Sequence, residues 1–270
     1  MKTLNEKKAE LISRLSGLDS LLVAFSGGVD STFLLAVAHK ILGSRLIAVT
    51  AYSPVHPVRE QNAACQLAQR MGVNHTLIRS EEMADPGFVS NLPDRCYRCK
   101  IQLFGHLLKM AADNGIRHVA HGVNLDDLKD YRPGLKAAEE LQIKAPLVDA
   151  GLSKADIREL SREMGLTTWD KPAMACLASR IPYGTPLTVE NLGMVEQAEQ
   201  VLHDLGFRSC RVRHHGSLAR LEVPPADFSE IVRRDVAVEI VSRLRGIGFI
   251  RIALDLEGYI QGSMNRGIST

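Results

Sequence analysis

The residues best suited to chemistry include a short glycine-rich stretch near the N-terminus, "SGGVDS", at residues 26–31. An apolar run precedes it and a helical pattern follows, so it joins a predicted strand to a predicted helix. Gly27 and Gly28 permit a tight turn in which successive backbone N–H groups point at an anion. The dipole of the helix that begins near Asp30 and Ser31 adds positive potential. The stretch predicts a pyrophosphate-binding loop; the alternative is a plain strand–helix turn.

Cysteine thiols form the second group with chemical potential. Cys96 and Cys99, in "RCYRCK", stand at positions i and i+3 of a predicted helix, so their sulfurs face the same way. Asp94 as N-cap would leave both thiols near the positive helix end, which favours the nucleophilic thiolate. From the residues alone the pair could serve in packing, a redox couple, a zinc site completed by a residue such as His121, or a reaction centre.

Two further stretches fall where loops are predicted. "HGVNLDDLKDYRPGLKAA", residues 121–138, follows a predicted strand and lies at the carboxyl edge of the sheet, where ligands bind. "KPAMACLASRIPYG", residues 171–184, has weak periodicity and places Cys176 beside Ser179 and Arg180. We therefore expect the first stretch to lie at the ligand-binding edge of the sheet and the second to be an ordered active-site loop and domain junction.

Alternating elements must position these groups. Predicted strands cover residues 20–25, 45–53, 74–80 and 118–124, and predicted helices cover residues 30–42, 58–72, 95–115, 134–142 and 153–165. Strands and helices at this spacing imply parallel βαβ units and an α/β fold with a doubly wound, mostly parallel sheet. The last of these helices has Ser153 as its predicted N-cap.

The C-terminal third has a different pattern. A helix at 189–207, a strand–turn–strand at 210–223, a helix at 225–248 and a strand at 249–257 give the order α-β-β-α-β. This order predicts a smaller α+β domain. The predicted domains are residues 1–170 for the phosphate-loop domain, 171–188 for the active-site loop and junction, and 189–270 for the C-terminal domain.

Composition narrows the class of protein. The 270 residues are 45% hydrophobic and 24% charged, with a net charge of +2, as in ordinary soluble globular proteins. That charge is too small for indiscriminate binding to nucleic acid or membrane surfaces. Five cysteines argue against a secreted disulfide framework. With neither a signal peptide nor a transmembrane run predicted, we expect the protein in the cytoplasm.

"SGGVDS" resembles the PP-loop of the N-type ATP pyrophosphatase superfamily, whose members cleave ATP to AMP and pyrophosphate. The resemblance implies that a substrate oxygen attacks the α-phosphate and that a nucleophile then displaces AMP. Mg²⁺ is expected with ATP because clustered phosphate charge needs neutralising. The residues expected to hold or border the nucleotide are Ala24, Phe25, Ser26, Gly27, Gly28, Asp30, Ser31, Ala51, Ser53, Gly122, Asp127 and Arg132.

Taken in order, the stretches above, with "CRVRHHGSLARLEV" and "LDLEGYIQGSMN", resemble the LarE family over nearly the full length. These are ATP-dependent sulfur transferases that help build the nickel-pincer cofactor of lactate racemase. The resemblance implies a pyridinium-3,5-biscarboxylic acid mononucleotide as substrate, with a ring carboxylate that is adenylated and converted to a thiocarboxylate. It also implies a homohexamer in which the C-terminal domain contributes to assembly.

Such a substrate needs cationic partners of defined geometry, which arginine supplies better than lysine. Arg180, Arg211 and Arg213 are the candidates, and the last two share one face of a predicted strand. Glu199 and Glu222 either contact the substrate or act as partners that order the arginines. A solvated strand face is the alternative for Arg211 and Arg213.

The resemblance carries two sources of sulfur. In one, the loop cysteine gives up its own sulfur and becomes dehydroalanine; in the other, three cysteines hold a [4Fe-4S] cluster that binds an extra sulfide. Cys176 matches the loop cysteine, and the extra pair, Cys96 and Cys99, favours the cluster, supplied by a separate sulfide donor. Cys176, Ser179 and Arg180 are the predicted catalytic residues.

Competing functions within the superfamily stay open from sequence. A tRNA thiolase would need an RNA-binding surface, which neither the charge nor a recognisable module indicates. An amidating synthetase of the NAD-synthetase kind would use ammonia and would not need Cys176. A nucleotide-sensing module would release no pyrophosphate.

Overall fold

A computed structural model describes residues 2–129 and 133–260, and its internal contacts divide the chain into two compact units. The first unit is Met1–Phe88 with Asp94–Met174, and the second is Val89–Pro93 with Ala175–Thr270. The division after Met174 lies beside the sequence-derived boundary at 170, and the contacts group residues 175–188 with the second unit. Residues 89–93 belong to the second unit although the first unit continues after them, and no sequence pattern predicted this.

The described residues form helices and strands in an alternating order. The helices are α1 (Leu4–Ser16), α2 (Val29–Leu42), α3 (Val58–Arg70), α4 (Pro86–Val89), α5 (Arg95–Asp113), α6 (Pro133–Glu140), α7 (Pro146–Asp149), α8 (Lys154–Glu163), α9 (Val189–Asp204), α10 (Phe228–Ile231) and α11 (Arg234–Ile247). The strands are β1 (Leu21–Ala24), β2 (Leu46–Tyr52), β3 (Asn74–Arg79), β4 (Val119–His121), β5 (Arg211–His215), β6 (Leu218–Glu222) and β7 (Arg251–Leu254).

The first unit is built on a parallel sheet with the strand order β3-β2-β1-β4. Successive residues of β1 point to opposite faces, and both faces are buried: Leu21 and Val23 pack with α1, α2 and α8, whereas Leu22 packs with α5. Because β1 is buried on both faces, its sequence is the continuous apolar run "LLVA" and does not alternate with polar residues. The predicted doubly wound α/β fold is confirmed.

Local sequence fixes where several helices begin. The Ser153 side chain accepts a hydrogen bond from Asp156 N, and the Asp156 carboxylate accepts one from Ser153 N, which confirms the predicted N-cap of α8. The same reciprocal arrangement begins α1 at Thr3 and α9 at Thr188. These caps satisfy N–H groups that a helix start otherwise leaves without partners.

The second unit is a three-stranded sheet in the order β5-β6-β7, with β5 and β6 antiparallel and β6 and β7 parallel. One face of this sheet carries Val212, Ala219 and Leu221, which form a core with α9 and α11. Residues of the opposite face are polar, including Arg211, Arg213 and Glu222. Asn91 closes the loop after Arg180, since its amide donates to the carbonyl oxygens of Ile181, Pro182 and Thr185.

The predicted α-β-β-α-β order is confirmed, but the single helix predicted at 225–248 is wrong. The structure has α10, a break at Val232 and Arg233, and then α11. Buried Ile231 and Val236 are five residues apart, which departs from the spacing of three or four that keeps residues on one helix face. The break restores the register, and Arg233 bonds to Glu230 and Asp235 on its two sides.

Across the described residues, none of the helices is long and apolar enough to cross a membrane.

Candidate active site

The phosphate loop is held by its own hydroxyl groups. The Ser26 and Ser31 hydroxyl oxygens are 3.1 Å apart, and Ser31 Oγ donates to Gly28 O at 3.2 Å. Gly28 N donates to Ser26 Oγ at 3.3 Å. The side chains therefore fix the turn from within and leave its outer side to backbone groups.

Backbone geometry makes this turn a place for an anion. α2 begins with Gly28 as N-cap, and no side chain caps it, whereas the starts of α1, α8 and α9 are capped. Its first N–H groups are thus oriented outwards at the positive end of a 14-residue helix. Gly27 has φ +69°, and a Cβ there would lie 3.0 Å from the Ala64 side chain, so both conformation and space require glycine.

The loop lies at the switch point of the sheet. β2 flanks β1 on one side and β4 on the other, so the chain reverses direction across the sheet between β1 and β4. Gly122 follows β4, and a Cβ on it would lie 2.7 Å from Ser31 N. The end of β4 therefore contacts the start of α2 directly.

Asp30 is the centre of a polar network at this edge. Its carboxylate accepts from Lys154 Nζ at 2.5 Å and from the Asn124 amide at 3.2 Å. The Asn124 amide also donates to Asp127 at 2.9 Å, and Asn124 N donates to the same carboxylate oxygen at 3.1 Å. Two carboxylates joined through one amide are hard oxygen donors of the type that Mg²⁺ prefers.

Sequence reasoning missed the lysines beside the loop. Lys154 pairs with Asp30, and Lys171 donates to Gly27 O at 3.1 Å while lying 2.7 Å from Glu60 Oε2. A basic residue directly after the Ser153 cap and another at the start of the 171–184 stretch were the signals available.

The remaining predicted nucleotide residues occupy different places. Ala24 ends β1, Ala51 lies near the end of β2, and Phe25 N donates to Val49 O at 2.8 Å. The Phe25 ring is buried and packs edge-on against His75, so its backbone is the part that can border a ligand. Arg132, also predicted here, lies outside the described residues.

Ser53 follows β2 and belongs to a buried network around a carboxylate. Both Ser53 Oγ and Ser80 Oγ donate to Glu82, which is fully buried, and Ser53 Oγ is 3.1 Å from His56 Nδ1. Burial lowers the pKa of His56; the Glu82 charge opposes this shift and Lys100 adds to it. This network fixes the loop that leaves β2 at the ligand-binding edge.

Cys96 and Cys99 lie in the first two turns of α5, and both are half-buried and outside any disulfide. Asp94 is the N-cap residue of this helix, as predicted, but its side chain makes no capping hydrogen bond. Asp94 has helical backbone angles, φ −81° and ψ −2°, and its carboxylate accepts from Arg98 at 2.8 Å instead. An extended backbone is needed to turn an Asp side chain onto the N–H groups of the first turn.

Lys100 adds positive charge directly after Cys99. Its ammonium lies 5.3 Å from the centre of the Phe104 ring, which also packs edge-on against His121. Burial, and then the Lys100 charge, lower the pKa of His121 to about 3. His121 is therefore a neutral imidazole at physiological pH, and Lys100 is the positively charged group beside it.

In the second unit, Cys176 begins a short 3₁₀ helix, Leu177–Arg180, within a clamped loop. Arg180 is 2% exposed, and its Nη1 donates to Ala175 O at 2.7 Å, to Cys176 O at 3.0 Å and to Ser179 Oγ at 2.9 Å. One guanidinium thus binds the backbone on both sides of the Cys176 side chain. The thiol itself is half-buried.

Glu199 neutralises this arginine from α9. Its carboxylate accepts from Arg180 Nε at 2.8 Å and from Nη2 at 3.1 Å, and it also accepts from Val212 N at 3.1 Å. Burial is the largest single influence on the pKa of Glu199 and raises it, but Arg180, with Arg211 and the Val212 N–H, lowers it overall. Burial likewise opposes the charge of Arg180, yet Glu199 raises its pKa overall. Both groups therefore stay ionised.

Arg213 and Glu222 form a second buried pair on the polar face of the sheet, with contacts of 2.8 Å and 2.7 Å. Arg213 Nη1 also donates to Ser179 O at 2.7 Å, so this pair holds the cysteine loop as well. Arg211 is placed differently. Its guanidinium stacks 5.0 Å from the Tyr259 ring centre and donates to Cys210 O at 2.7 Å.

Within residues 2–129 and 133–260, no three or more His, Cys, Asp or Glu side chains are grouped so as to hold a metal ion. The structure therefore supplies thiol and carboxylate donors and no preassembled metal cage in this part of the chain.

Comparisons with known proteins agree with the geometry of the loop. A PP-loop domain family matches residues 1–130, which include the turn at 26–31. An uncharacterized protein of Synechocystis is 43% identical over 97% of this chain and 98% of its own length. Pyridinium-3,5-bisthiocarboxylic acid mononucleotide synthase of Lactiplantibacillus plantarum is 40% identical over 98% of this chain and 96% of its own length. GMP synthase of Aeropyrum pernix is 27% identical over 69% of this chain.

The fold, the loop at the switch point and these matches define a PP-loop protein that uses ATP. The match to the Lactiplantibacillus synthase covers 98% of this chain and so spans both units. The chain belongs to the LarE family, and the family predicted from the motifs is confirmed.

Proposed function

We propose that this chain is an ATP-dependent sulfurtransferase acting on pyridinium-3,5-biscarboxylic acid mononucleotide. A ring carboxylate oxygen attacks the α-phosphorus of ATP, the bond to the bridging oxygen breaks and pyrophosphate leaves. Sulfur then attacks the activated carbonyl carbon, AMP leaves with the former carboxylate oxygen, and a thiocarboxylate remains. The observation that carries the proposal is an uncapped α2 N-terminus at the switch point in a chain that also holds a clamped cysteine loop and is 40% identical to the synthase.

The chain's own residues supply most of the first step. Backbone N–H groups of the loop and the α2 dipole bind the phosphates, while Ser26 and Ser31 keep the turn in place. Asp30 and Asp127 are the oxygen donors that fit Mg²⁺. When bound, Mg²⁺ would neutralise phosphate charge and orient the leaving pyrophosphate.

We assign the arginines two roles. The forks of Arg180 and Arg213 are occupied by Glu199 and Glu222, so they serve by positioning the Cys176 loop. Arg211 is half-buried and stacked on Tyr259, and it is the best placed of the three to contact an anionic substrate. Burial, followed by the repulsion of Arg180, lowers its pKa, and an incoming anion would relieve that repulsion.

For the sulfur source we propose a [4Fe-4S] cluster held by Cys96, Cys99 and Cys176. Its support is the chemistry of the donors: three half-buried cysteines outside any disulfide, two of them at helical spacing, suit iron–sulfur ligation. When bound, the cluster would carry the sulfide that a separate donor provides. In the alternative, Cys176 gives up its own sulfur and becomes dehydroalanine.

Two further expectations complete the proposal. A reducing cytoplasm fits five cysteines that form no disulfide within the described residues. Assembly as a homohexamer through the C-terminal domain is expected from the family resemblance.

Similarity to a GMP synthase favours one competing function, an amidating synthetase that would use ammonia on the same adenylate. Replacing Cys176 separates the two functions. Under our proposal, Cys176→Ala abolishes thiocarboxylate formation while substrate-dependent pyrophosphate release persists.

The matched control is Cys65→Ala, because Cys65 lies on α3 and has no assigned role. We expect it to keep full thiocarboxylate formation by mass spectrometry. A Cys176→Ala variant that still forms the thiocarboxylate, or a wild-type protein that forms an amide from ammonia, would contradict the proposed function.

A further inference from the structure

Residues 168–174 form a segment that lies against the phosphate loop within the first unit. The Met174 methyl carbon is 3.3 Å from the position that a Cβ on Gly28 would occupy. Lys171 reaches the preceding residue, since its ammonium donates to Gly27 O at 3.1 Å. A cation is thus fixed within one residue of the N–H groups that open α2.

The position of this lysine is set from two sides. Arg158, on α8, donates to Trp169 O at 2.6 Å and to Lys171 O at 2.8 Å, and so holds the backbone of the segment. Glu60, in the first turn of α3, lies 2.7 Å from the Lys171 ammonium. The side chains of Lys171 and Glu60 are 21% and 20% exposed, so solvent or a ligand can reach the pair.

The contacts of Lys171 favour replacement of Glu60 by an incoming anion over a permanent Lys171–Glu60 pair. An ammonium has three donors, of which Gly27 O and Glu60 account for two. A partly exposed pair contributes less to folding stability than a dry one, because water screens its charges. Lysine is also a common phosphate-binding residue because its charge is compact and its stem flexible.

We propose that Lys171 binds the pyrophosphate half of ATP and that Glu60 is its counter-ion before nucleotide binds. This deepens the proposed function, on which it rests for the identity of the nucleotide. The other lysine at the loop, Lys154, is engaged by Asp30 at the Mg²⁺-type donors, so the two cations serve different parts of the site. The extra negative charge on the departing pyrophosphate would then fall beside Lys171.

The test compares ATP with AMP, which lacks the pyrophosphate. Isothermal titration with Mg²⁺ present should show that Lys171→Met weakens ATP binding by about tenfold or more, the usual size for one lost charged contact. AMP binding should change by less than about twofold. Lys171→Arg should recover part of the ATP affinity, and Glu60→Gln should bind ATP as tightly as wild type or more tightly because the lysine is released.

Lys40→Ala is the matched control, because Lys40 is an exposed lysine near the far end of α2. Equal weakening of ATP and AMP by Lys171→Met would overturn the proposal and leave a structural ion pair; so would unchanged ATP binding, or a loss of ATP binding in Glu60→Gln as large as in Lys171→Met. If Lys171→Met does not fold, the arginine and Glu60 variants still decide. A wild-type protein that prefers ATP through Lys171 but forms no thiocarboxylate would contradict the proposed function alone.

Discussion

Ion pairs in the two units differ in burial and in partner type, and the difference separates fixed parts from exchangeable ones. In the second unit, Arg180–Glu199 and Arg213–Glu222 have side chains no more than 8% exposed. In the first unit, the Lys154–Asp30 and Lys171–Glu60 pairs have side chains that are 18–31% exposed. The arginines around the cysteine loop bind their carboxylates through two nitrogens and are shielded from water. Each lysine at the phosphate loop instead makes one N–O contact with its carboxylate, which a ligand can replace.

The largest effect should come from breaking a buried pair. Arg180→Met leaves Glu199 charged, buried and without its main partner, which typically costs about 3–5 kcal/mol. Hydrogen–deuterium exchange of peptides covering β5 and β6 measures the loss as faster opening. The double variant Arg180→Met/Glu199→Leu should regain most of the protection, because no charge is left buried. If Arg180→Met alone left hydrogen-exchange protection of β5 and β6 at the wild-type level, the buried arginine pairs would be no more important for stability than the exposed lysine pairs.

Acid should weaken the buried pair next. The pKa of Glu199 in the folded chain lies below its ordinary value of 4.5, because burial, which raises it, is outweighed by the combined effect of Arg180, Arg211 and the Val212 N–H. Its contribution to stability is therefore complete above about pH 4.5 and is lost as the pH falls through the lower, folded pKa. Circular dichroism followed from pH 7 to 2 should show acid unfolding that shifts to lower pH in the Arg180→Met/Glu199→Leu variant. An unshifted acid transition would show that this pair does not govern it.

The smallest effect on stability should come from the phosphate-loop pairs. Lys154→Met removes a partner of Asp30, but water reaches both side chains, so we expect a cost of about 1 kcal/mol or less in unfolding free energy. Urea unfolding at 0.1 M and 1 M salt checks this, because screening should shrink the cost further. If Lys154→Met lowered the unfolding free energy as much as Arg180→Met does, the Lys154–Asp30 pair would be a structural pair and not an exchangeable one.

Local signals allowed much of the fold to be predicted. The apolar run of β1, the glycine pair after it and the Ser153 cap each depend on residues a few positions apart. The predicted helix at 225–248 failed because its continuous apolar pattern conceals a five-residue gap between Ile231 and Val236. Asp94 was correctly predicted as the N-cap residue of α5, but its carboxylate binds Arg98, one turn later, and not the N–H groups of the helix.

The pairings between residues far apart in sequence are the part of the site that could not be predicted. Sequence named Arg180, Arg213, Glu199 and Glu222 as one set but could not say which carboxylate meets which arginine. Lys171 and Gly27 are 144 positions apart, so their contact depends on how α3, α8 and the 168–174 segment pack. A lysine at the start of the 171–184 stretch indicates a basic residue in that segment, but the sequence does not show which backbone oxygen it contacts.

The central claim is repeated ATP-dependent sulfur transfer by one chain, and product per chain tests it most directly. Anaerobically purified protein would be supplied with Mg-ATP, the biscarboxylic mononucleotide and sulfide, and thiocarboxylate and intact protein mass would be measured together. We predict several thiocarboxylates per chain, about four irons per chain and an unchanged protein mass. At most one thiocarboxylate per iron-free chain, with loss of one sulfur and dehydroalanine at Cys176, would contradict the account.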